Sequence, residues 1–138
     1  VDKMQIKVQG KDIRFILALE PIKILADGDR LVQLMIILLD NAIKYTPAQG
    51  EIKVSLNNVA NRAVLEIRDT GKGIPQEDLP YIWERFYKVD KSHSRLDGGI
   101  GVGLAIAKEI VMLHKGQIKV ESELNQGTSI SIDFPIGE

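Results

Sequence analysis

Residues 27–47 read DGDRLVQLMIILLDNAIKYTP, and the fold turns on whether this stretch is helix or strand. From Leu34 to Leu39 it is apolar on every side, so periodicity cannot decide. Length can: about 16 residues between an acidic cap and Pro47 is too long for an ordinary strand. The stretch is therefore expected to be a largely buried helix, with Asp29 as N-cap and Pro47 as its stop.

Outward from this helix the pattern becomes that of strands. On its N-terminal side, Met4, Ile6 and Val8, then Ile13, Phe15 and Leu17, alternate around a Gly10-Lys11-Asp12 turn, which predicts a hairpin. The short apolar stretch Ile22 to Ala26 follows Pro21. On the other side, Ile52, Val54 and Leu56 and the run Ala63 to Asp69 predict a second hairpin, and Ile118 to Phe134 around Asn125-Gln126-Gly127 a third. Pro75 with Gln76, Glu77 and Asp78 opens a predicted short helix through Phe86, and a further helix is expected from about Val102 to His114. About seven strands and three helices, joined mostly as hairpins, argue an α+β fold: a two-layer α/β sandwich with a mixed sheet. Tyr87 to Gly99 is polar, basic and aperiodic, and reads as a mobile loop.

Composition narrows the chemistry. The 138 residues suit a single domain, and 18 Lys plus Arg against 19 Asp plus Glu give a net charge of −1, no reason to invoke nucleic acid. The absence of cysteine excludes disulfides, thiolate metal sites and a Cys nucleophile. His93 and His114 are the two imidazoles, too few for a histidine-rich metal site. The Leu34–Leu39 run falls far short of the roughly 18 residues that span a bilayer. No signal peptide is evident, and Val1 in place of Met suggests an excised piece of a longer protein.

Three features could carry function. Asn41, Lys44 and Tyr45, at i, i+3 and i+4, share one face at the helix's C-terminal end. An amide oxygen suits Mg²⁺ and an ammonium suits phosphate, although a polar helix end reaching solvent has the same pattern. Asp69 falls on the core face with Leu65 and Ile67, so its carboxylate needs donors. It either caps its own turn or accepts from a ligand amine such as that of adenine. The glycines of Thr70-Gly71-Lys72-Gly73-Ile74 would let backbone approach a ligand closely. Finally, Gly99, Gly101 and Gly103 open a helix, a favourable place for an anion. Their spacing brings the third glycine one residue early for a dinucleotide fingerprint, and no Gly-Lys pair is followed by Ser or Thr as in Walker A.

Taken in order, these motifs resemble the catalytic ATP-binding domain of bacterial sensor histidine kinases, in the GHKL (Bergerat-fold) ATPase superfamily. Residues 38–47 look like the N box, 69–74 like G1, 83–90 like the F box, 99–106 like G2, and Gly127-Thr128 like G3. The resemblance implies an α/β sandwich that binds Mg-ATP between the N-box helix and a flexible lid at about 87–99. It implies that Asn41 coordinates Mg²⁺ and that Lys44 and Tyr45 contact phosphates and ribose. Asp69 would accept from the adenine amine with Thr128 assisting through water, and Gly71, Gly73, Ile74, Tyr87 and Leu104 would complete the site. Gly99, Gly101 and Gly103 would cradle phosphates, and Lys88 would reach the γ-phosphate. The implied activity is transfer of that phosphoryl group to a histidine on a separate dimerisation domain, feeding a response regulator. The isolated domain is expected to be monomeric and cytoplasmic, and the full-length protein a homodimer anchored in the inner membrane.

Two positions depart from the family pattern. Lys88 stands where relatives commonly carry Arg, which keeps the charge and loses bidentate geometry. Ile37 stands four residues before Asn41, where many histidine kinases have Asn and the hydrolytic relatives have a Glu general base. An isoleucine cannot deprotonate water or serine, whereas a neutral imidazole acceptor has a free lone pair and needs no base. That favours a histidine acceptor over a hydrolytic ATPase and leaves a nucleotide-sensing module with weak transfer as the alternative. His93, in Ser92-His93-Ser94, lacks the context of a phosphoacceptor box, and His114 is expected to serve as a helix C-terminal dipole partner.

Overall fold

A computed structural model describes residues 2–22, 27–84 and 103–136. The decisive stretch is helix α1, Gly28–Tyr45. Its cap is Asp27, not Asp29: the Asp27 carboxylate accepts from the amides of Asp29 and Arg30, and Asp29 instead sits in the first turn, where its charge still complements the dipole. The helix stops at Thr46, held extended by the following Pro47, and the Thr46 hydroxyl donates to Ala42 O at 2.7 Å. Leu34, Leu38 and Ala42, one turn apart, form its buried stripe. Burial is less complete than the apolar run implied, since Val32 and Ile36 are more than half exposed.

Six strands form one mixed sheet among the described residues: β1 (Asp2–Val8), β2 (Lys11–Leu19), β3 (Glu51–Val59), β4 (Arg62–Asp69), β5 (Gln117–Glu123) and β6 (Gly127–Pro135), ordered β1-β2-β3-β4-β6-β5. The pair β2–β3 is parallel, with α1 as its crossover, and every other pair is antiparallel. The expected α+β sandwich therefore holds. The first turn lies one residue earlier than the sequence suggested. Gln9 and Gly10 both take positive φ, a geometry that suits the twist of a two-residue hairpin, and Lys11 already pairs with Val8.

Helix α2 (Gly103–Leu113) packs beside α1 on one face of the sheet. The helix expected from Pro75 is only a 3₁₀ turn, Leu79–Tyr81, among the described residues. Pro80 has no N–H to continue an α-helix, and the local bonds run between residues three apart, as from Tyr81 N to Asp78 O. Ile13, Leu34, Leu38, Ile52, Ile110, Val111 and Ile132, each no more than 2% exposed, fill the space between sheet and helices. Each contributes about 1.5–3 kcal/mol by burial, against about 1 kcal/mol for a typical hydrogen bond.

Candidate functional site

Strand alternation aims Asp69, the last residue of β4, at the helix-covered face beside Ile67. Thr128 lies directly opposite it on β6, and Ser122 directly opposite Thr128 on β5. The three polar side chains thus form one row across three strands, each 7–8% exposed. Asp69 Oδ1 accepts from Gly71 N at 2.8 Å and Thr128 N at 3.2 Å. Burial pushes its carboxyl above the ordinary value, and the two N–H groups partly oppose this. Both sequence readings of Asp69 are compatible with this geometry: Oδ1 caps its own turn, while Oδ2 has no hydrogen-bond partner among the described residues.

Ser122 was not anticipated. Its hydroxyl accepts from Ile74 N at 2.7 Å, meets Gly127 O at 3.0 Å and Thr128 Oγ1 at 2.8 Å, and its carbonyl accepts from Gln76 Nε2 at 2.6 Å. Its signal was present: Ile118, Val120 and Ser122 share a strand face, so a hydroxyl stands where alternation calls for an apolar residue.

The glycines of the 70–74 loop are required by the protein's own backbone. A Cβ on Gly71 would overlap Tyr45 O, and one on Gly73, which has φ +75°, would overlap Glu123 O. The loop is thereby wedged between the end of α1 and the end of β5, with Asn125 N donating to Lys72 O at 2.8 Å. Gly127, at φ +127°, likewise approaches Asp69 O too closely for a side chain.

At the other end of the site, Asn41, Lys44 and Tyr45 are half-buried on the last turns of α1. The Asn41 amide has no hydrogen-bond partner among the described residues, as a ligand-facing group would require. Lys44 Nζ and Lys72 Nζ lie 5.4 and 5.1 Å from the Tyr45 ring centroid, within cation–π range. Lys11, also unanticipated, reaches across from β2 and donates to Ile43 O at 2.7 Å and Thr46 O at 2.8 Å, supplying a cation to the helix's negative end. Partial burial lowers its pKa. Lys11, Lys44, Tyr45, Thr70, Gly71 and Lys72 line a cavity of about 410 Å³.

Gly103 and Leu104 open α2, and Ile37 Cγ2 lies 3.5 Å from where a Cβ of Gly103 would stand, so Ile37 packs against the start of that helix. Tyr87, Lys88, His93, Gly99 and Gly101, with the lid at 87–99, lie outside the described residues. His114 does more than face a helix terminus: Nδ1 lies 2.8 Å from Ile110 O, and Nε2 accepts from Asp27 N at 3.1 Å. The neutral tautomer with Nδ1 protonated satisfies both, joining the end of α2 to the cap of α1.

Comparison with known proteins bears on this arrangement directly. Residues 26–138 match the family described as "Histidine kinase-, DNA gyrase B-, and HSP90-like ATPase". The chain is 49% identical over 102 residues to the signal transduction histidine-protein kinase ArlS of Staphylococcus aureus, covering 74% of this chain and 23% of the relative. It thus spans about a quarter of the length of the curated relatives it matches. The mycobacterial sensor histidine kinase MprB superposes with a TM-score of 0.81 at 32% identity, covering 90% of this chain and 84% of that one. The catalytic domain of histidine kinase ThkA gives 0.77 at 27% identity, covering 90% and 80%. Full-length ShkA in complex with AMPPNP gives 0.78 at 29% identity, covering 91% and 26%. With its mixed sheet, two helices and buried Asp69 above the last turns of α1, the chain belongs to the histidine kinase-, DNA gyrase B- and HSP90-like ATPase family, as an ATP-binding catalytic domain of the histidine kinase type.

Proposed function

We propose that this domain binds Mg-ATP and donates the γ-phosphoryl group to a histidine on a separate dimerisation domain of the same protein, from which a response regulator is charged. The observation that carries the nucleotide assignment is Asp69: a buried carboxylate with one oxygen tied to Gly71 and Thr128, and the other without a partner among the described residues. An exocyclic amine is the donor it lacks. Asn41 at the other end is the protein ligand assigned to Mg²⁺, which when bound would neutralise phosphate charge. Among the described residues no cluster of three His, Cys, Asp or Glu could hold a metal; the other ligands in this reading are phosphate oxygens and water.

In this reading Lys44 and Tyr45 hold phosphates and ribose, and Gly71, Gly73, Ile74 and Leu104 shape the pocket. Gly99, Gly101, Gly103, Tyr87 and Lys88 act from the G2 segment and lid. Transfer then depends on positioning and charge neutralisation. Ile37 supports a histidine acceptor, since it packs against Gly103 and offers no base to activate water. No helix among the described residues is long and apolar enough to cross a membrane. We place the domain in the cytoplasm, as part of a homodimeric, membrane-anchored kinase. A second reading, a nucleotide sensor with weak transfer, is favoured by Lys88 and Ile37, which remove a bidentate phosphate contact and a potential second Mg²⁺ ligand.

The test mixes this domain with γ-labelled ATP, Mg²⁺ and the histidine-bearing hairpin of its parent. Acid-labile label on the hairpin is the expected result. Binding without label would favour the sensor, and steady phosphate release without acceptor would favour a hydrolytic ATPase.

A further inference from the structure

The Ser122 hydroxyl has one proton and two lone pairs, and three neighbours use all of them. Ile74 N–H, at 2.7 Å, can only donate to it. Gly127 O, at 3.0 Å, can only accept from it, which commits the Ser122 proton. Either hydroxyl can donate in the 2.8 Å contact between Ser122 Oγ and Thr128 Oγ1, and with the Ser122 proton on Gly127 O it is the Thr128 proton that makes it. Thr128 is left with lone pairs alone to present beside Asp69, whose carboxylate is also acceptor-only when ionised. The two neighbouring groups therefore share one polarity, and a third residue, Ser122 on the neighbouring strand, sets it.

We propose that Ser122 is a specificity-determining positioning residue: by holding the Thr128 proton, it makes the Asp69–Thr128 pair accept only, so that the site takes a purine bearing a 6-amino donor and rejects one bearing a 6-oxo acceptor. The effect operates directly or through a bridging water, which would relay the same polarity. The inference rests on the assignment of Asp69 to adenine and deepens it, because Asp69 by itself leaves Thr128 free to rotate its hydroxyl and donate to a 6-oxo group. With Ser122 in place that rotation would break the 2.8 Å contact and leave the buried Ser122 oxygen short of a donor.

The experiment measures Mg-ADP and Mg-IDP affinity by calorimetry for the 138-residue chain and its variants, and reads the ADP-to-IDP preference. Ser122→Ala is expected to lower that preference at least about threefold, because Thr128 becomes free to donate. Loss of the Ile74 N–H partner would weaken both nucleotides together and cancel in the ratio. In a Thr128→Val background, Ser122→Ala should leave the preference unchanged, whereas a merely structural role would lower it equally in both backgrounds. Ser122→Thr keeps the hydroxyl and should keep the preference, which preserves the test if Ser122→Ala does not fold. Asp69→Asn separates the two claims: unchanged ADP affinity would remove the adenine assignment itself. A tenfold loss there, with an unaltered preference in Ser122→Ala, would overturn the role of Ser122 alone.

Discussion

The two ends of the site are built on opposite principles. Around Asp69 the groups are buried and held by the sheet: Oδ1 has two backbone donors, the Ser122 hydroxyl has every valence used, and Gly73 and Gly127 bring backbone too close for any side chain. Around Asn41 the groups are half-buried on the last turns of a helix, and the cations Lys44 and Lys72 rest against the Tyr45 ring. A rigid end with fixed polarity suits recognition of a base that does not change during reaction. An end supplied with adjustable charge suits a phosphoryl group that must move.

Breaking the adjustable end should have the largest effect. Asn41→Ala is expected to abolish Mg²⁺-dependent transfer, a loss on the order of a hundredfold or more, with the circular dichroism spectrum unchanged. An active variant would remove the metal assignment.

At the rigid end, Asp69→Asn is expected to weaken nucleotide binding at least tenfold, about 1.4 kcal/mol or more, because it turns an acceptor toward a donor into a donor toward a donor. Its stability should move the other way. Burial raises the Asp69 pKa from 3.8, so the folded chain holds a proton that the unfolded chain releases, and stability falls as pH rises from about 3.8 through the raised value. The asparagine does not incur that loss. The ligand-free variant should melt at or above the wild-type temperature at neutral pH, with the pH-dependent part of its advantage fading toward pH 3.8. A variant that binds normally, or whose relative stability ignores pH, would contradict the prediction.

The smallest effect is expected where the two styles meet. Lys11→Met keeps the aliphatic stem but removes the cation from the end of α1. Urea unfolding should show a loss of about 1 kcal/mol, with nucleotide binding weakened roughly two- to threefold through Lys44 and Tyr45. An unchanged unfolding midpoint would mean that the cap is inert.

Legibility in the sequence divides along the same line. The strands were readable because alternation is local, and Asp69 was readable because parity alone places its carboxylate on the core face. The position of α1 was readable from length and Pro47, although its cap was placed two residues late, because Asp27 and Asp29 are chemically equivalent until backbone geometry chooses between them. Ser122 and Lys11 also act on partners far away in the chain, Ile74 and Thr46 among them: alternation marks the hydroxyl of Ser122 as out of place, but no local pattern encodes those distant pairings. The glycines of the 70–74 loop were recognised as points of close approach, but a sequence cannot say what approaches. At Gly71 and Gly73 it is the chain itself.

The β1–β2 hairpin has a consequence for how this domain can be moved between proteins. The family match begins at residue 26, yet β2 lies before that point and pairs with β3 from Arg14↔Glu51 to Leu19↔Leu56. It also contributes Ile13 and Phe15 to the interior. The portion that the family match spans is therefore smaller than the portion that folds together. A chimaera joined at residue 26 would have to import a compatible edge hairpin from its new host, with a lysine at the right rung. Swaps between kinases should consequently succeed or fail on residues that lie before the family match.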